Sequence, residues 1–464
     1  MSDDSPGSAA GRRAGSAWSQ TLRLAEPWFA PFALVNGAAV GLTPILLPIV
    51  ASRYGIGHVG LVMGAFNLGA FAAPGVGSAA DRYRAHRVLA VACAAAAAVS
   101  LWLFPVLGPS WQLLLALGDG AGFAGAVTIA NLLIVERRPK AEWNARLGSL
   151  EAVLSVGQGG ALVLASWLTG LGAREALLLG ALVPAAAIPL AATLIPRTSA
   201  NPTPTSHQAA ARSQIHYREV TAVGARVAGG HRLASVGMVG EWGPASPSRT
   251  HHLAHRRPFS GISDMVGGGF GWLLAAWIPA YAGTAIVFAL YPVLFRQAFG
   301  IPAQASALAF AVIVFVSLPL FAVASRVSQR RGPAAAMAGA LAARVVLLAL
   351  LAGLAAAGHP PAVLPLAAFA GIMFAWSFLS VASPGLTGQL MPNAEGDAQG
   401  LLNASSGLAG LAGSVIGGLA ASNWGYPAAL AIGAAAVAAG LAIFVATTLR
   451  GHGTAQLARP TGAQ

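Results

Sequence analysis

Long apolar runs separated by short polar or charged breaks constrain this chain more than any other feature of its sequence. Each run is close to the roughly 20 residues that an α-helix needs to cross the hydrocarbon core of a bilayer. Lipid offers the backbone no hydrogen-bond partners, so runs of this length indicate transmembrane helices. We count twelve runs, at residues 29–51, 56–79, 88–106, 111–135, 144–168, 173–195, 272–296, 303–325, 333–357, 361–390, 397–421 and 426–449.

The amino-acid composition also indicates a membrane protein with many spans. Of the 464 residues, 56% are apolar and 9% are charged, whereas a soluble domain carries about 25% charged residues. The net charge of +13 would suit a nucleic-acid partner, but most of the basic residues lie in the tails and in the breaks between runs. Basic residues in such breaks orient a membrane protein, so we expect a lipid bilayer and no nucleic acid as partner. The single cysteine, Cys93, excludes an intramolecular disulfide.

The positions of the basic residues predict the orientation of the chain. If the N-terminus is cytoplasmic, most lysines and arginines fall in cytoplasmic segments, and the outer breaks hold only Arg53, Arg174 and Arg296. We therefore expect a plasma-membrane (bacterial inner-membrane) protein with both termini in the cytoplasm. The chain then divides into an N-tail, a six-helix bundle, a disordered cytoplasmic linker rich in Arg, His and Pro, a second bundle and a C-tail, at residues 1–28, 29–196, 197–271, 272–449 and 450–464.

The break between the second and third runs carries a glycine, an acid and basic residues in a spaced order: Gly77, Asp81, Arg82, His86 and Arg87. This order resembles the loop between the second and third helices of major facilitator superfamily transporters. Arg84 stands where the family has a second glycine, which a tight turn would use. The resemblance implies an all-α membrane protein with twelve transmembrane helices in two six-helix pseudo-symmetric bundles. It also implies a central cavity lined by the first, fourth, seventh and tenth helices.

The two halves of the sequence resemble each other, as expected for a duplicated bundle. Residues 141–146 open the fifth run, and residues 394–399 open the eleventh with the same pattern, Ala-Glu-x-Asn/Asp-Ala-Arg/Gln. By the family resemblance, Asp81 would pair with basic residues or cap the eleventh helix near Gly396, and either contact would latch the two halves in the outward-facing state. Arg82 would then reach Glu395 or Asp397, which carry the opposite charge.

Ionisable residues inside apolar runs are costly and are usually retained for a task. Asp119 lies among glycines in the fourth run and is the candidate proton carrier or cation-binding group, unless it simply reaches water near the outer interface. Glu151, in the fifth run, either titrates during transport or pairs with an arginine such as Arg146. Arg344 lies in the ninth run, which is peripheral in the resembled fold, so we expect an ion pair or snorkelling, with solute binding as the alternative.

Polar and aromatic residues on the four cavity helices complete the candidate solute site: Asn36, Thr43, Asn131, Tyr281, Tyr291, Trp376 and Ser377. Glycines in the fifth and eleventh runs predict faces for close helix packing: Gly157, Gly159, Gly160, Gly410, Gly413, Gly417 and Gly418. In the fifth run Gly148 and Gly157 match the first positions of the family's drug-antiporter signature, but Ala161 and Leu162 replace its Gly-Pro.

No phosphate-binding loop and no catalytic arrangement is visible, so we expect no cofactor and no enzymatic activity. The histidines of residues 251–255 have no cysteine or carboxylate nearby, so we expect no metal site. The predicted function is a monomeric secondary transporter for a small, hydrophobic or weakly cationic solute, with proton-coupled efflux. A metabolite uptake permease is one alternative, and a non-transporting scaffold or sensor that acts through the linker is another.

Overall fold

The computed structural model describes residues 24–138, 142–196, 268–358, 360–391 and 395–457, and every regular element in these ranges is helical. In the first half, α1 spans Pro27–Tyr54, α2 comprises Ile56–Gly69, Ala70–Ala72 and Ala73–Tyr83, and α3 spans His86–Leu103; α4 is Pro109–Arg137, α5 is Trp143–Leu168 and α6 is Ala173–Leu194. In the second half, α7 is Gly269–Phe299, α8 is Ala303–Arg331, α9 is Pro333–Ala357 and α10 is Val363–Leu390.

The last helical stretch, Glu395–Leu457, contains two membrane-spanning helices. Its apolar part is 48 residues long, which at ~1.5 Å per residue is about 70 Å, more than twice the thickness of the hydrocarbon core. Gly425 interrupts the helix with φ 83° and ψ 171°, a conformation that glycine adopts easily. We therefore divide the stretch into α11 (residues 395–424) and α12 (residues 426–457), and the eleven apolar stretches of the described residues become twelve helices.

The helices form two bundles, α1–α6 and α7–α12, with matching internal contacts. In the first bundle α1 packs on α5 and α6, α2 packs on α4, and α3 packs on α4 and α6. Six helices later, α7 packs on the α11–α12 stretch, α8 on α10, and α9 on α10 and the α11–α12 stretch. This correspondence confirms the predicted all-α fold of two pseudo-symmetric six-helix bundles.

Two equivalent helix pairs, α2 with α11 and α5 with α8, join the bundles, and α7 also packs on α1 and α2. Gly60 and Gly418 let α2 and α11 touch, because a Cβ added to Gly60 would lie only 2.7 Å from the Gly418 Cα. The α11 contacts come mainly from Ile56–Gly69, the half of α2 nearest Gly55. We call the end of the protein where α1 meets α2 the Gly55 end, and the end where α2 meets α3 the Arg84 end. The bundles are therefore packed together at the Gly55 end.

The loop between α2 and α3 turns at Arg84, which has φ 48° and ψ 33°. Among the described residues it is the only non-glycine with positive φ. The turn that the family's glycine would make is therefore made by an arginine, at a cost in backbone strain. Most of the linker predicted at 197–271, including its histidine cluster, lies outside the described residues, and α7 already begins at Gly269.

Candidate functional site

Asp119 is buried inside the first bundle, where it binds a residue of α1. The Thr43 hydroxyl donates a 2.7 Å hydrogen bond to Asp119 Oδ2, and both side chains are at most 1% exposed. Asp119 Oδ1 has no hydrogen-bond partner in the described part of the chain. The site therefore holds a carboxyl group between α1 and α4, with one oxygen satisfied and one available. The alternative position for Asp119, in contact with water, does not apply to this conformation.

The helix that carries Thr43 is irregular immediately before it. Residues Ala38–Leu42 form a π-helical segment, and such segments are frequent at functional sites. Gln158 of α5 donates a 3.3 Å hydrogen bond from Nε2 to the Val40 carbonyl oxygen within this segment. Gly37 and Gly157 allow α1 and α5 to approach here, because an added Cβ on Gly37 would lie 2.6 Å from the Gly157 carbonyl oxygen. The sequence reasoning missed Gln158, a polar residue in an apolar run.

The other candidates in the first bundle have different environments. Asn36 Nδ2 donates a 2.8 Å hydrogen bond to the Leu154 carbonyl oxygen, so it joins α1 to α5. Asn131 is 1% exposed, and neither its Oδ1 nor its Nδ2 has a partner among the described residues. Glu151 is partly buried, and its carbonyl oxygen accepts a hydrogen bond from Ser155.

In the second bundle, the side chain of Arg344 extends from α9 towards α7 and α10. It is 1% exposed, and its Nη1 donates a 3.1 Å hydrogen bond to the Thr284 hydroxyl of α7. Its guanidinium carbon lies 5.2 Å from the centre of the Trp376 ring on α10. The sequence-based expectation of an ion pair or snorkelling is therefore wrong, because Arg344 points into the bundle and has no acidic partner within the described ranges.

Trp277, Tyr281 and Trp376 form an aromatic triad beside Arg344. The Tyr281 and Trp376 rings meet edge to face with centroids 5.8 Å apart, and Trp277 lies 5.9 Å from Tyr281 and 6.3 Å from Trp376. The Trp277 indole donates a 2.7 Å hydrogen bond to the Ser406 hydroxyl of α11. The Trp376 indole nitrogen and the hydroxyl of fully buried Ser377 have no partner in the part of the chain described.

Tyr291 belongs to a separate aromatic core near the Gly55 end. Its ring stacks on Phe369 with centroids 4.2 Å apart, and its hydroxyl donates a 2.8 Å hydrogen bond to the Ser306 carbonyl oxygen. With its side chain 1% exposed and its hydroxyl satisfied, Tyr291 holds α7 against α8 and α10 in this conformation.

The loop motif at the Arg84 end is only partly described. The side chains of Asp81, Glu395 and Asp397, on which the latch depends, lie outside the described residues, although all three backbones are helical. Arg82 is exposed, and its guanidinium carbon lies 5.5 Å from the centre of the neighbouring Tyr83 ring.

The remaining motif residues contact α4 or lie at the loop. His86 is buried, with its Nε2 atom 3.2 Å from Glu136 Oε1 of α4. A Cβ added to Gly77 would lie 3.3 Å from the Thr128 methyl group of the same helix. Arg87 is partly exposed. The motif therefore packs the end of α2 and the start of α3 on α4.

Another charged cluster at the Arg84 end connects α1, α4 and α5 around Glu26. The Glu26 carboxylate lies 2.9 Å from Arg138 and 3.2 Å from Arg146, and it accepts a 2.9 Å hydrogen bond from the Trp28 indole. Burial alone would raise the pKa of this carboxyl group, but hydrogen bonds from Arg138 and Trp28, with the two arginine charges, lower it below the ordinary value of 4.5. Arg146 also pairs with Glu142 at 3.4 Å.

Most of the predicted packing glycines lie at helix contacts. Gly157 faces Ala33 of α1, and Gly413 and Gly417 face Ala282 and Ile286 of α7. The contacts between the bundles involve Gly159 against Phe315, Gly410 against Asn67 and Gly418 against Gly60. Gly160 differs, because it is exposed and an added Cβ would meet nothing within 4 Å, so this conformation gives it no packing role.

Comparisons with known proteins agree with this architecture. The family model described as Major Facilitator Superfamily matches residues 29–395. The solved nucleoside transporter NupG superposes with a TM-score of 0.64 at 14% identity, covering 92% of this chain and 99% of that one. An inward-facing, occupied bacterial homologue of the human lysosomal transporter Spinster gives 0.64 at 14% identity, with 94% and 97% covered. A D-xylose–proton symporter gives 0.63 at 13% identity, with 91% and 96% covered.

No curated protein matches the sequence. The superpositions on these solved structures establish a common fold. Their sequence identities are too low to indicate which solute this chain binds. The family model, by contrast, spans well over half of the sequence, from the start of the first bundle through α10 of the second. The chain belongs to the major facilitator superfamily of membrane transporters.

Proposed function

We propose that this protein is a secondary active transporter that moves a small, largely apolar solute by alternating access, with protons as the coupling ion and export as the direction. The observation that carries the proposal is the buried carboxyl group of Asp119. Its Oδ2 is held by Thr43, and its Oδ1 has no partner among the residues described. Such a group can take up a proton at Oδ1 without breaking its existing hydrogen bond.

Burial explains why protonation of Asp119 would be linked to conformation. A carboxylate away from water is costly unless donors surround it, and among the described residues only one donor binds Asp119. A conformation that seals this region therefore favours the neutral acid, and one that opens it to water favours the ion. Proton uptake and release then drive the change of access, because each protonation state stabilises a different conformation.

The contacts between the bundles supply the gate. Gly60 and Gly418 bring α2 and α11 together at the Gly55 end, and Asn67 donates a 3.3 Å hydrogen bond to Ser414 between the same helices. We place the protein in the plasma membrane with the N-terminus in the cytoplasm, so that the Gly55 end faces outwards. This conformation is then inward-facing. The loop motif around Asp81 would close the opposite end in the outward-facing state.

The aromatic and aliphatic residues of α7 and α10 favour an apolar solute. Trp277, Tyr281 and Trp376 offer large apolar surfaces with few polar atoms. A weakly cationic solute would need Asp119 as its counter-charge.

Uptake of a metabolite is the alternative direction, and the solved proteins with this fold include a nucleoside transporter and a D-xylose–proton symporter. A scaffold acting through residues 197–267 would require those residues, whereas a transporter should tolerate their deletion.

Proton coupling can be tested in proteoliposomes that contain the pH-sensitive dye pyranine. The solutes are three naphthalene derivatives of similar shape: neutral naphthamide, anionic naphthalenesulfonate and cationic naphthylmethyl-trimethylammonium. We expect at least one of them to cause a proton flux through the wild-type protein that Asp119→Asn abolishes. Protein-free liposomes correct for leakage, and solute exchange without a pH gradient should persist in Asp119→Asn.

Equal proton flux in wild-type and Asp119→Asn protein would remove Asp119 from the coupling mechanism. An imposed pH gradient of either sign also reports the direction. Proton-coupled export exchanges solute for protons, so the solute should move in the direction opposite to proton flow. Proton-coupled uptake carries both together, so the solute should move in the same direction as the protons.

A further inference from the structure

Arg344 is a buried cation whose hydrogen-bonding capacity is mostly unused. Its Nη1 binds Thr284, but Nε and Nη2 have no partner in the described part of the chain. Among the described residues, no carboxylate lies within ion-pair distance of the Arg344 guanidinium. A buried charge without a counter-charge or a full set of hydrogen bonds is costly, particularly inside a membrane.

The surroundings of Arg344 offset only part of this cost. The Trp376 ring provides a cation–π contact at 5.2 Å, and the Thr284 hydroxyl provides one acceptor. The Trp376 indole nitrogen is another donor without a partner among the described residues. Arg344 and Trp376 together therefore offer more hydrogen-bond donors than the surrounding residues accept. An oxyanion would accept hydrogen bonds from the spare donors, whereas a cation would be repelled by the guanidinium.

The position of the group connects it to the cavity helices. Arg344 belongs to α9, but its guanidinium contacts Thr284 of α7 and Trp376 of α10. The aromatic triad covers it, with Tyr281 and Trp376 each 8% exposed. An anion held by the guanidinium would therefore have its apolar part against aromatic rings. A purely structural arginine would instead be expected to have its donors satisfied within the protein.

We propose that Arg344 and Trp376 form a subsite for the anionic group of an aromatic or otherwise apolar organic anion. The guanidinium Nε and Nη2 would donate to two oxygens of a carboxylate, sulfonate or phosphate, in the paired geometry that arginine favours. The triad would contact the apolar body of the solute. This inference depends on the proposed transport function, and it specifies a negative charge on the solute where the sequence suggested a hydrophobic or weakly cationic one.

Equilibrium binding of the three naphthalene derivatives to the detergent-solubilised full chain tests the subsite. We expect naphthalenesulfonate to bind about 10- to 100-fold more tightly than naphthamide, as charge-assisted hydrogen bonds to a buried arginine allow. Arg344→Gln should remove this preference and leave naphthamide affinity within about twofold, since the aromatic contacts remain. Arg344→Lys should keep part of it, because the charge remains but the paired donors are lost.

Thr284→Val is the matched control, because it removes the protein's own hydrogen bond to Arg344 and leaves the guanidinium in place. It should preserve the preference for sulfonate. A wild-type protein that binds naphthamide or the cation as tightly as the sulfonate would overturn the proposal, even if Arg344→Gln fails to fold. So would a sulfonate preference that survives in Arg344→Gln or Arg344→Lys at full strength.

The binding test of the Arg344 subsite and the proton-flux test of the proposed function can fail independently. Solute-driven proton flux without sulfonate preference would retain the transporter and reject the subsite. Sulfonate preference at Arg344 without any solute-driven proton flux would retain the subsite and reject proton coupling.

Discussion

The Thr43 hydroxyl of α1 donates a 2.7 Å hydrogen bond to Asp119 Oδ2 of α4, and both side chains are buried. This bond joins two helices that are far apart in the sequence, beside the π-helical segment Ala38–Leu42. A change in the charge of Asp119 can therefore act directly on the irregular part of α1.

Replacing Thr43 by valine tests this connection. Valine keeps the shape of threonine but removes the donor, so Asp119 Oδ2 loses its partner and the protein should lose about 1 kcal/mol of stability. We expect reduced proton-coupled transport and a lower melting temperature, measured in proteoliposomes and in detergent. Thr43→Ser retains the hydroxyl and should retain both properties, and equal behaviour of the two variants would contradict the role of the hydrogen bond.

Replacing Arg84 by glycine should stabilise the protein. Arg84 has φ 48°, a conformation that costs an L-residue roughly 1 kcal/mol, and glycine adopts it without strain. The melting temperature of Arg84→Gly should therefore rise. Arg84→Ala removes the charge but keeps the Cβ, and it should show no such rise. A gain in both variants would indicate that the charge, rather than the backbone conformation, is unfavourable.

Replacing Gly418 by alanine should open the contact between α2 and α11. The added Cβ would lie 2.7 Å from the Gly60 Cα, and backbone cannot move away as a flexible side chain can. We expect lower transport and greater accessibility of cysteines introduced at the Gly55 end. Gly160→Ala is the control on α5, because its Cβ would meet nothing within 4 Å. Gly160→Ala should transport normally. Equal transport by Gly418→Ala and Gly160→Ala would argue against the contact between Gly60 and Gly418 as a gate.

Acid should destabilise the cluster around Glu26. Because ion pairs hold the pKa of Glu26 below 4.5 in the folded protein, its contribution to stability is present above the unfolded pKa and is lost as pH falls through the folded pKa. The melting temperature of wild-type protein should therefore fall between pH 7 and about pH 3 by more than that of Glu26→Gln. An identical fall in both proteins would assign the acid sensitivity to other groups.

Asp81→Asn should lower transport and leave membrane insertion unchanged. The family resemblance gives Asp81 a role in closing the Arg84 end against α11, and the amide loses the charge that a helix N-terminus or a basic partner would bind. Transport assays and the amount of protein in the membrane fraction measure the two effects. Normal transport by Asp81→Asn would remove the latch from the mechanism.

The helices themselves were determined almost entirely by the sequence. The ninth run was predicted at 333–357, and α9 is Pro333–Ala357. Span length is a local property, because each run must cross the same thickness of hydrocarbon and must satisfy its own backbone hydrogen bonds. Gly425 shows the same locality, since one residue with positive φ is enough to separate α11 from α12.

The partner of each buried polar group was decided only by the tertiary structure. Asp119 could be identified from its sequence as a buried acid, but its bond to Thr43 depends on how α1 and α4 are rotated and offset against each other. Arg344 shows this most clearly, because its place on a peripheral helix suggested an interfacial role, yet the side chain reaches Thr284 and Trp376. Successive side chains point about 100° apart around a helix axis, so the rotation of the helix decides which of them face a given neighbour. The close contacts of glycines such as Gly37 and Gly60 with other helices fix that rotation, so no single run can specify it.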